Sequence, residues 1–300
     1  MKRLIQIVLF LLPISIISFV VKYKTIFLNE SIVEASNENI MVKITDKNIV
    51  IELEDYIIGV VSGEMPALFE EEALKAQAVA ARSYLLSSIS KEENIFEITS
   101  TINDQVFLTE EEMEEKWGKD FEYYYNKIRS CVLATKNLVL KNNDEILKTY
   151  YFAMSNGYTE DSQTVFGNNN FESVESIWDN ETLKNFEVQT KIAEKDFSKL
   201  LNLSDEKIVI NNIKKNKTAR VENIVINDIG FSGTDFRKRL SLRSTDFTLK
   251  KEGSFFIVTT KGYGHGVGMS QYGANGMAKE GYNYQEILQH YYKNSKIEKN

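Results

Sequence analysis

The chain has 300 residues, with 36 Lys and Arg against 43 Asp and Glu for a formal net charge of −7, and only two prolines, two histidines and one cysteine. At roughly 100–200 residues per domain it forms one large domain or two smaller ones, and it buries a core without covalent staples. A single cysteine excludes an intrachain disulfide framework and a Cys-rich zinc module, two histidines disfavour a multi-His metal centre, and the acidic balance excludes bulk nucleic-acid binding.

Residues 1–3 include Lys2 and Arg3, and Leu4 to Val21 then run for eighteen residues without a charge. At 1.5 Å per residue this run is just long enough for a bilayer core of ~30 Å. No small-residue cleavage site follows Val21, so residues 4–21 read as an uncleaved transmembrane signal anchor. A cleaved signal peptide and a buried core helix are the alternatives. The basic flanks are nearly balanced, and by convention residues 1–3 stay in the cytoplasm while everything after Lys22 is exported. Residues 22–38 read as a polar tether and residues 39–300 as the extracytoplasmic domain.

Ile40, Val42 and Ile44 alternate as a strand does, and Ile49 to Leu53 and Tyr56 to Val61 read as further strands because β-branched residues dominate them. From Phe69 to Ser88 the pattern becomes helical. Glu70, Glu71 and Glu72 occupy the first turn, where the helix dipole favours anions, and alanines follow from Ala73 to Ala81. Glu110 to Lys136 predicts another helix, and Leu138 to Met154 a hairpin turning at Asn142-Asn143-Asp144. Residues 180–260 alternate short helical and strand patterns and predict an accessory lobe. The expected fold class is α+β, a mixed helix and antiparallel-strand core with a second, smaller β-rich lobe and a groove between them. Seven of the fifteen glycines then crowd between Gly262 and Gly281.

Glu64 stands just before Met65-Pro66, and a proline holds the residue before it in extended geometry. A carboxylate at a strand end beside Val60, Val61 and Met65 loses solvent, which raises its pKa toward that of a general acid; a surface turn glutamate is the plain alternative. Lys75 and Arg82 are seven residues apart, within about 20° of one helix face and roughly 10 Å from each other. Such a pair suits the carboxylates or sugar oxygens of a ligand in a groove, or equally pairs with Glu71 and Glu72 on a solvated face. In GYGHGVGMSQYGA, from Gly262, glycine at alternate positions permits positive φ and close backbone approach, yet the pattern matches neither a dinucleotide nor a phosphate loop. His265 within it suits proton transfer or a bond to a sugar hydroxyl, or a structural bond to backbone. With only His290 and Cys131 as further ligands it does not suit a metal. In YYFAMSNGYTE, from Tyr150, small polar residues follow a strand; Tyr151 offers a sugar-stacking platform, unless the segment is an ordinary turn.

Together EDYIIGVVSGEMP, EALKAQAVAARSYLL, YYFAMSNGYTED, FRKRLSLRST and GYGHGVGMSQYGANGMAKEGYNYQEILQHYY, in this order over about residues 40–293, resemble the stage II sporulation protein D family. The resemblance implies a membrane-anchored lytic transglycosylase of endospore formers, acting in forespore engulfment from the mother-cell membrane and facing the intermembrane space. It implies peptidoglycan glycan strands stripped of stem peptides as substrate. The implied partners are the sporulation cell-wall amidase that strips them and a small multispanning membrane protein. Glu64 falls on the family's catalytic glutamate, and Lys75 and Arg82 on its groove residues. Tyr151, Ser155, Thr159, His265, Gly266, Ser270 and Gln271 fall on positions expected to line the same site.

One carboxyl suffices for the implied reaction, because the muramyl C6 hydroxyl is an internal nucleophile and replaces the second carboxylate of a hydrolase. Lactyl carboxylates of stripped glycans suit Lys75 and Arg82 as a local basic groove in an acidic protein. No cofactor is implied. Some relatives bind zinc through His and Cys after the first helix, but Ile98 to Val106 contains neither, so no structural zinc is expected. Ala153 and Asn156 stand where the family often has His and Gly. Amidase enhancers are relatives of this family, which leaves a non-catalytic glycan-binding enhancer or scaffold of an amidase as the alternative.

Overall fold

Met41–Ile44 (β1) and Ile49–Glu52 (β2) form an antiparallel hairpin with Val42 and Ile44 buried. The computed structural model describes residues 40–88, 95–102, 104–168, 170–204 and 207–300; the expected anchor and tether lie outside them. Among the described residues no helix is long and apolar enough to cross a membrane.

The chain next enters a helix, Leu53–Glu64 (α1), where β-branched composition predicts a strand over Tyr56 to Val61. Burial overrides propensity here. Helix propensities of these side chains fall short of alanine by at most ~0.7 kcal/mol each, whereas fully burying a large apolar side chain is worth roughly 1.5–3 kcal/mol. Tyr56, Ile57, Ile58, Val60 and Val61 are all buried. Glu71–Leu86 (α2) follows as its alanines and acidic first turn predict. Ile95–Ile98 (β3) adds parallel to β1, giving the order β2-β1-β3.

The single helix expected over 110–136 is two. Glu110–Trp117 (α3) starts on a capping box between Thr109 and Glu112 and stops at Gly118, whose φ of +52° cannot continue an α-helix. A 3-10 turn then leads into Phe121–Ala134 (α4). Leu138–Asn142 (β4) and Glu145–Ile146 (β5) form the expected hairpin, with Asn143 and Asp144 at positive φ as a type I′ turn requires. Its pairing ends near Leu147, short of Met154, because Tyr151–Phe152 (β6) pairs with a strand from far down the chain.

After Ser162–Phe166 (α5), a β-rich stretch comprises Glu187–Ala193 (β7), Glu194–Leu201 (α6), Ile210–Lys215 (β8), Val221–Ile226 (β9), Ile229–Ser232 (β10), Gly233–Arg239 (α7), Phe247–Glu252 (β11) and Phe255–Lys261 (β12). Its two antiparallel sheets have the orders β10-β9-β8 and β11-β12-β7 and enclose their own hydrophobic cluster. Phe197 stacks on Phe256 at 4.1 Å and Phe236 on Phe247 at 5.0 Å within it. The chain returns through Met269–Ser270 (β13), the parallel partner of β6, then Gln271–Lys279 (α8), Tyr284–Tyr291 (α9) and Lys296–Lys299 (β14), which pairs with β4. In the larger core α2 packs against α1, α4, α8, α9 and β4, and its alanines are fully buried. The fold is α+β with mostly antiparallel sheets.

Candidate active site

Glu64 is the last residue of α1, so the acid stands at a helix end and not at the strand end its neighbours predict. Met65 caps the helix in the extended geometry that Pro66 imposes (φ −117°, ψ 147°). The turn beyond is fastened on two sides. Lys127 Nζ donates to the carbonyls of Ala67 (3.0 Å) and Phe69 (2.6 Å). Against α8, the Phe69 ring meets Tyr272 edge-on at 5.0 Å, and Glu70 N–H donates to Asn275 Oδ1 at 2.8 Å. This docking carries Gln271, first residue of α8, to the acid.

Both Glu64 oxygens accept a hydrogen bond: Oε1 from Val106 N–H at 2.8 Å and Oε2 from Gln271 Nε2 at 3.3 Å. Residues 106–108 reach α1 this closely because Gly59 and Gly63 lack side chains. A Cβ on Gly59 would lie 2.1 Å from the Phe107 ring, and one on Gly63 2.5 Å from the Val106 carbonyl oxygen. Burial pushes the Glu64 pKa above the usual carboxylate value, and the Val106 and Gln271 donors pull against it. The negative end of the α1 dipole acts in the same direction as burial.

Two phenols share this surrounding. Tyr56 Oη donates to Gln105 Oε1 at 3.0 Å, and Gln105 Nε2 donates to Tyr151 Oη at 2.7 Å. Burial first, and the Glu64 charge among the nearby groups, raise the pKa of both tyrosines, so they stay neutral beside the carboxyl. Tyr151 thus presents a hydrogen-bonding hydroxyl to the site. Gln105 and the Val106 N–H are missed by sequence reading. Any residue supplies a backbone N–H, and a lone glutamine in a polar run looks like loop.

The other expected site residues divide. Ser270 caps α8, accepting from Gly273 N–H at 3.2 Å. Burial raises the Asp179 pKa to about 6 against the nearby serine hydroxyls, of which Ser176 donates to Oδ2 at 2.7 Å. Thr159 is committed to Val174: its N–H donates to the Val174 carbonyl and its hydroxyl accepts from the Val174 N–H, both at 2.8 Å. Gly266, at φ +91°, faces the Arg220 guanidinium, which a Cβ would meet at 3.1 Å. His265 Nδ1 accepts from Val267 N–H at 3.1 Å, which leaves the proton on Nε2, 3.1 Å from the Tyr151 carbonyl. Burial first, then the Arg237 charge, lowers its pKa to about 4. Of the readings open to it, His265 takes the structural one, a neutral brace between the Gly-rich loop and β6.

Arg82 departs from the groove position expected of it. It is fully buried and grips Glu54 with Nε (3.0 Å) and Nη2 (2.6 Å) while Nη1 donates to the Leu138 carbonyl at 3.0 Å. Arg82 thus ties α2 to the start of α1 and to β4. Lys75 stays partly exposed and pairs with Glu72 at 2.6 Å. Asn156 Nδ2 donates to the Thr218 carbonyl (2.7 Å) and to Asp246 Oδ2 (2.9 Å), fastening the 150–160 segment to the β-rich part. Among the described residues no group of three or more His, Cys, Asp or Glu is placed to hold a metal ion.

One carboxyl of raised proton affinity, held by two N–H donors beside neutral phenols, has the chemistry of an acid–base site in an α+β domain. Comparison with known proteins gives the family. The family described as "Stage II sporulation protein" matches residues 43–141. Stage II sporulation protein D of Bacillus subtilis (strain 168) is 37% identical over 255 residues, covering 82% of this chain and 74% of that protein. Its counterpart in Bacillus amyloliquefaciens is 36% identical over 81% of this chain and 73% of its own length. An amidase enhancer of Bacillus subtilis (strain 168) is more distant, at 28% identity over 78% of this chain and 39% of its own. The chain belongs to the stage II sporulation protein D family, and its role lies in sporulation.

Proposed function

We propose that this protein is a lytic transglycosylase that cuts peptide-stripped glycan strands of peptidoglycan between N-acetylmuramic acid and N-acetylglucosamine. The observation that carries the reading is Glu64, whose burial at a helix end favours the protonated form while Val106 N–H and Gln271 fix its orientation. Protonated Glu64 gives its proton to the glycosidic oxygen as that bond breaks. The carboxylate then takes the proton from the muramyl C6 hydroxyl as its oxygen closes on C1, leaving a 1,6-anhydro end and consuming no water. Gln271 and the Val106 N–H stabilise the carboxylate between the two transfers, and the Tyr151 phenol is near enough to feel its charge. In this reading residues 4–21 anchor the protein in the mother-cell membrane during engulfment, and the strand-stripping amidase and a multispanning membrane protein work beside it.

The test is the mass of the products from amidase-treated strands and from intact sacculi. Anhydro ends from stripped strands alone support the reading; hydrolytic reducing ends contradict it. An absence of cleavage together with stimulation of an amidase would favour the enhancer role instead.

A further inference from the structure

The FRKRLSLRST motif has no part in the surroundings of Glu64. It runs from the last turn of α7 into residues 240–245, and it lies on the Gly-rich loop, where Gly264 N–H donates to the Arg243 carbonyl at 2.9 Å. This part of an acidic chain is basic: residues 207–261 hold 12 Lys and Arg against 5 Asp and Glu. Most of those cations are paired, Lys214 with Glu222, Lys215 with Asp246, Arg239 with Asp235 and Lys251 with Glu194 among them. Among the described residues, Arg237 and Arg243 have no carboxylate at salt-bridge distance.

Both arginines converge on Tyr263. The Arg243 guanidinium lies over its ring at 4.1 Å; among the described residues Nη2 reaches only the Asn185 carbonyl at 3.4 Å, and the buried Nε has no hydrogen-bond partner. Arg237 donates through Nε to the Leu242 carbonyl at 3.2 Å. Burial lowers its pKa, the Tyr263 phenol alone opposes this, and its charge reaches His265. Half-buried guanidiniums without a counter-charge are costly, and such groups are ordinarily paired. Tyr263 is 46% exposed, so the pair sits at the rim of the loop and not inside the core. The same loop ends at Gln271, the Glu64 partner, and eight residues reach at most about 28 Å.

We propose that Arg237 and Arg243, with Tyr263, form an anion subsite for a carboxylate carried on the glycan strand, the lactyl ether carboxylate of a muramic acid residue away from the scissile bond. The inference rests on the reading of this protein as a glycan-strand enzyme. Guanidinium forks bind carboxylates through paired, charge-assisted hydrogen bonds, and an exposed phenol ring covers the apolar face of a sugar. Sequence reading gives the lactyl groups to Lys75 and Arg82, but Arg82 is taken up by Glu54 and Lys75 by Glu72. Arg237 and Arg243, with no carboxylate at salt-bridge distance among the described residues, remain open to an anion.

Calorimetric titration of the full-length protein, carrying Glu64→Gln so that strands survive, tests this with peptide-free glycan strands and with the same strands after reduction of their carboxylates to alcohols. Native strands should bind about tenfold or more tightly than reduced ones. Arg237→Gln with Arg243→Gln should abolish the preference while leaving the affinity for reduced strands in place. Arg243→Lys, which keeps the charge and the stem, should lower the preference part-way and serves if the double variant does not fold. Equal binding of native and reduced strands, or a preference that survives the arginine variants, overturns the subsite. If wild-type protein cleaves stripped strands while this outcome is found, only the subsite fails; if it neither binds nor cleaves them, the enzymatic reading fails and takes the subsite with it.

Discussion

Burial holds Glu64 toward its protonated form, whereas Arg82 is buried against the carboxylate of Glu54. A carboxyl whose folded pKa is raised above its unfolded value stabilises the fold relatively at low pH and costs stability once the unfolded chain ionises. Glu64→Gln should therefore raise Tm at neutral pH, with the gain shrinking as pH falls toward the ordinary carboxylate range and gone below it. The Gln271 amide can turn its oxygen toward the new amide, so the hydrogen bond survives. A lower Tm for Glu64→Gln at pH 7 would show that the carboxylate is held as an ion. Arg82 makes the opposite case. Removing one partner of a buried ion pair costs about 3–5 kcal/mol because the other charge is stranded. Arg82→Ala and Glu54→Ala should each destabilise by that order in urea titrations, and the double variant by much less than their sum. Additive losses would contradict the bidentate pair.

At the scale of elements, α1 exists as a helix because it is surrounded, and its two glycines let residues 106–108 lie against it. Gly63→Ala places a Cβ 2.5 Å from the Val106 carbonyl oxygen, so that segment must move and Glu64 loses its 2.8 Å N–H donor. Alanine is the better helix former, so α1 itself should persist; activity should fall roughly 10²-fold, with circular dichroism unchanged in helix content. Full activity in Gly63→Ala would mean that Val106 does not orient the acid. What the sequence made legible follows the same division. The alanines and acidic first turn of α2 mark a helix locally, and Asn143-Asp144 mark a tight turn. The helical state of Tyr56 to Val61 is not marked, because only the elements packed round it outweigh its β-branched residues. Gly118, which splits the expected long helix, acts through a single positive φ that composition alone does not reveal. In the site, Glu64 and Gln271 are legible from the family resemblance, while Gln105 and the Val106 N–H depend on a chain crossing that only the assembled fold supplies.

Across the whole molecule two buried groups away from Glu64 set opposing responses to acid. As pH falls from 6.5 toward 4, the unfolded chain takes up a proton that folded His265 refuses, so stability falls. As pH falls from 6 toward 3.8, folded Asp179 takes up a proton before the unfolded chain does, so stability rises. Each effect integrates to roughly 3 kcal/mol, and over about pH 4–6 they largely cancel. Asp179→Asn should steepen the loss of stability in acid, and His265→Gln should reverse it; urea midpoints across this range read both slopes. Unchanged slopes in either variant would remove that residue from the balance. The central claim concerns the acid itself, and the most direct measurement is mass spectrometry of amidase-treated glycan strands incubated with the full-length protein and with Glu64→Gln. The account predicts 1,6-anhydro-muramyl ends from the wild type and a loss of about 10²-fold or more in their rate of formation in the variant. Anhydro ends formed at an undiminished rate by Glu64→Gln, or hydrolytic ends formed by the wild type, would contradict it.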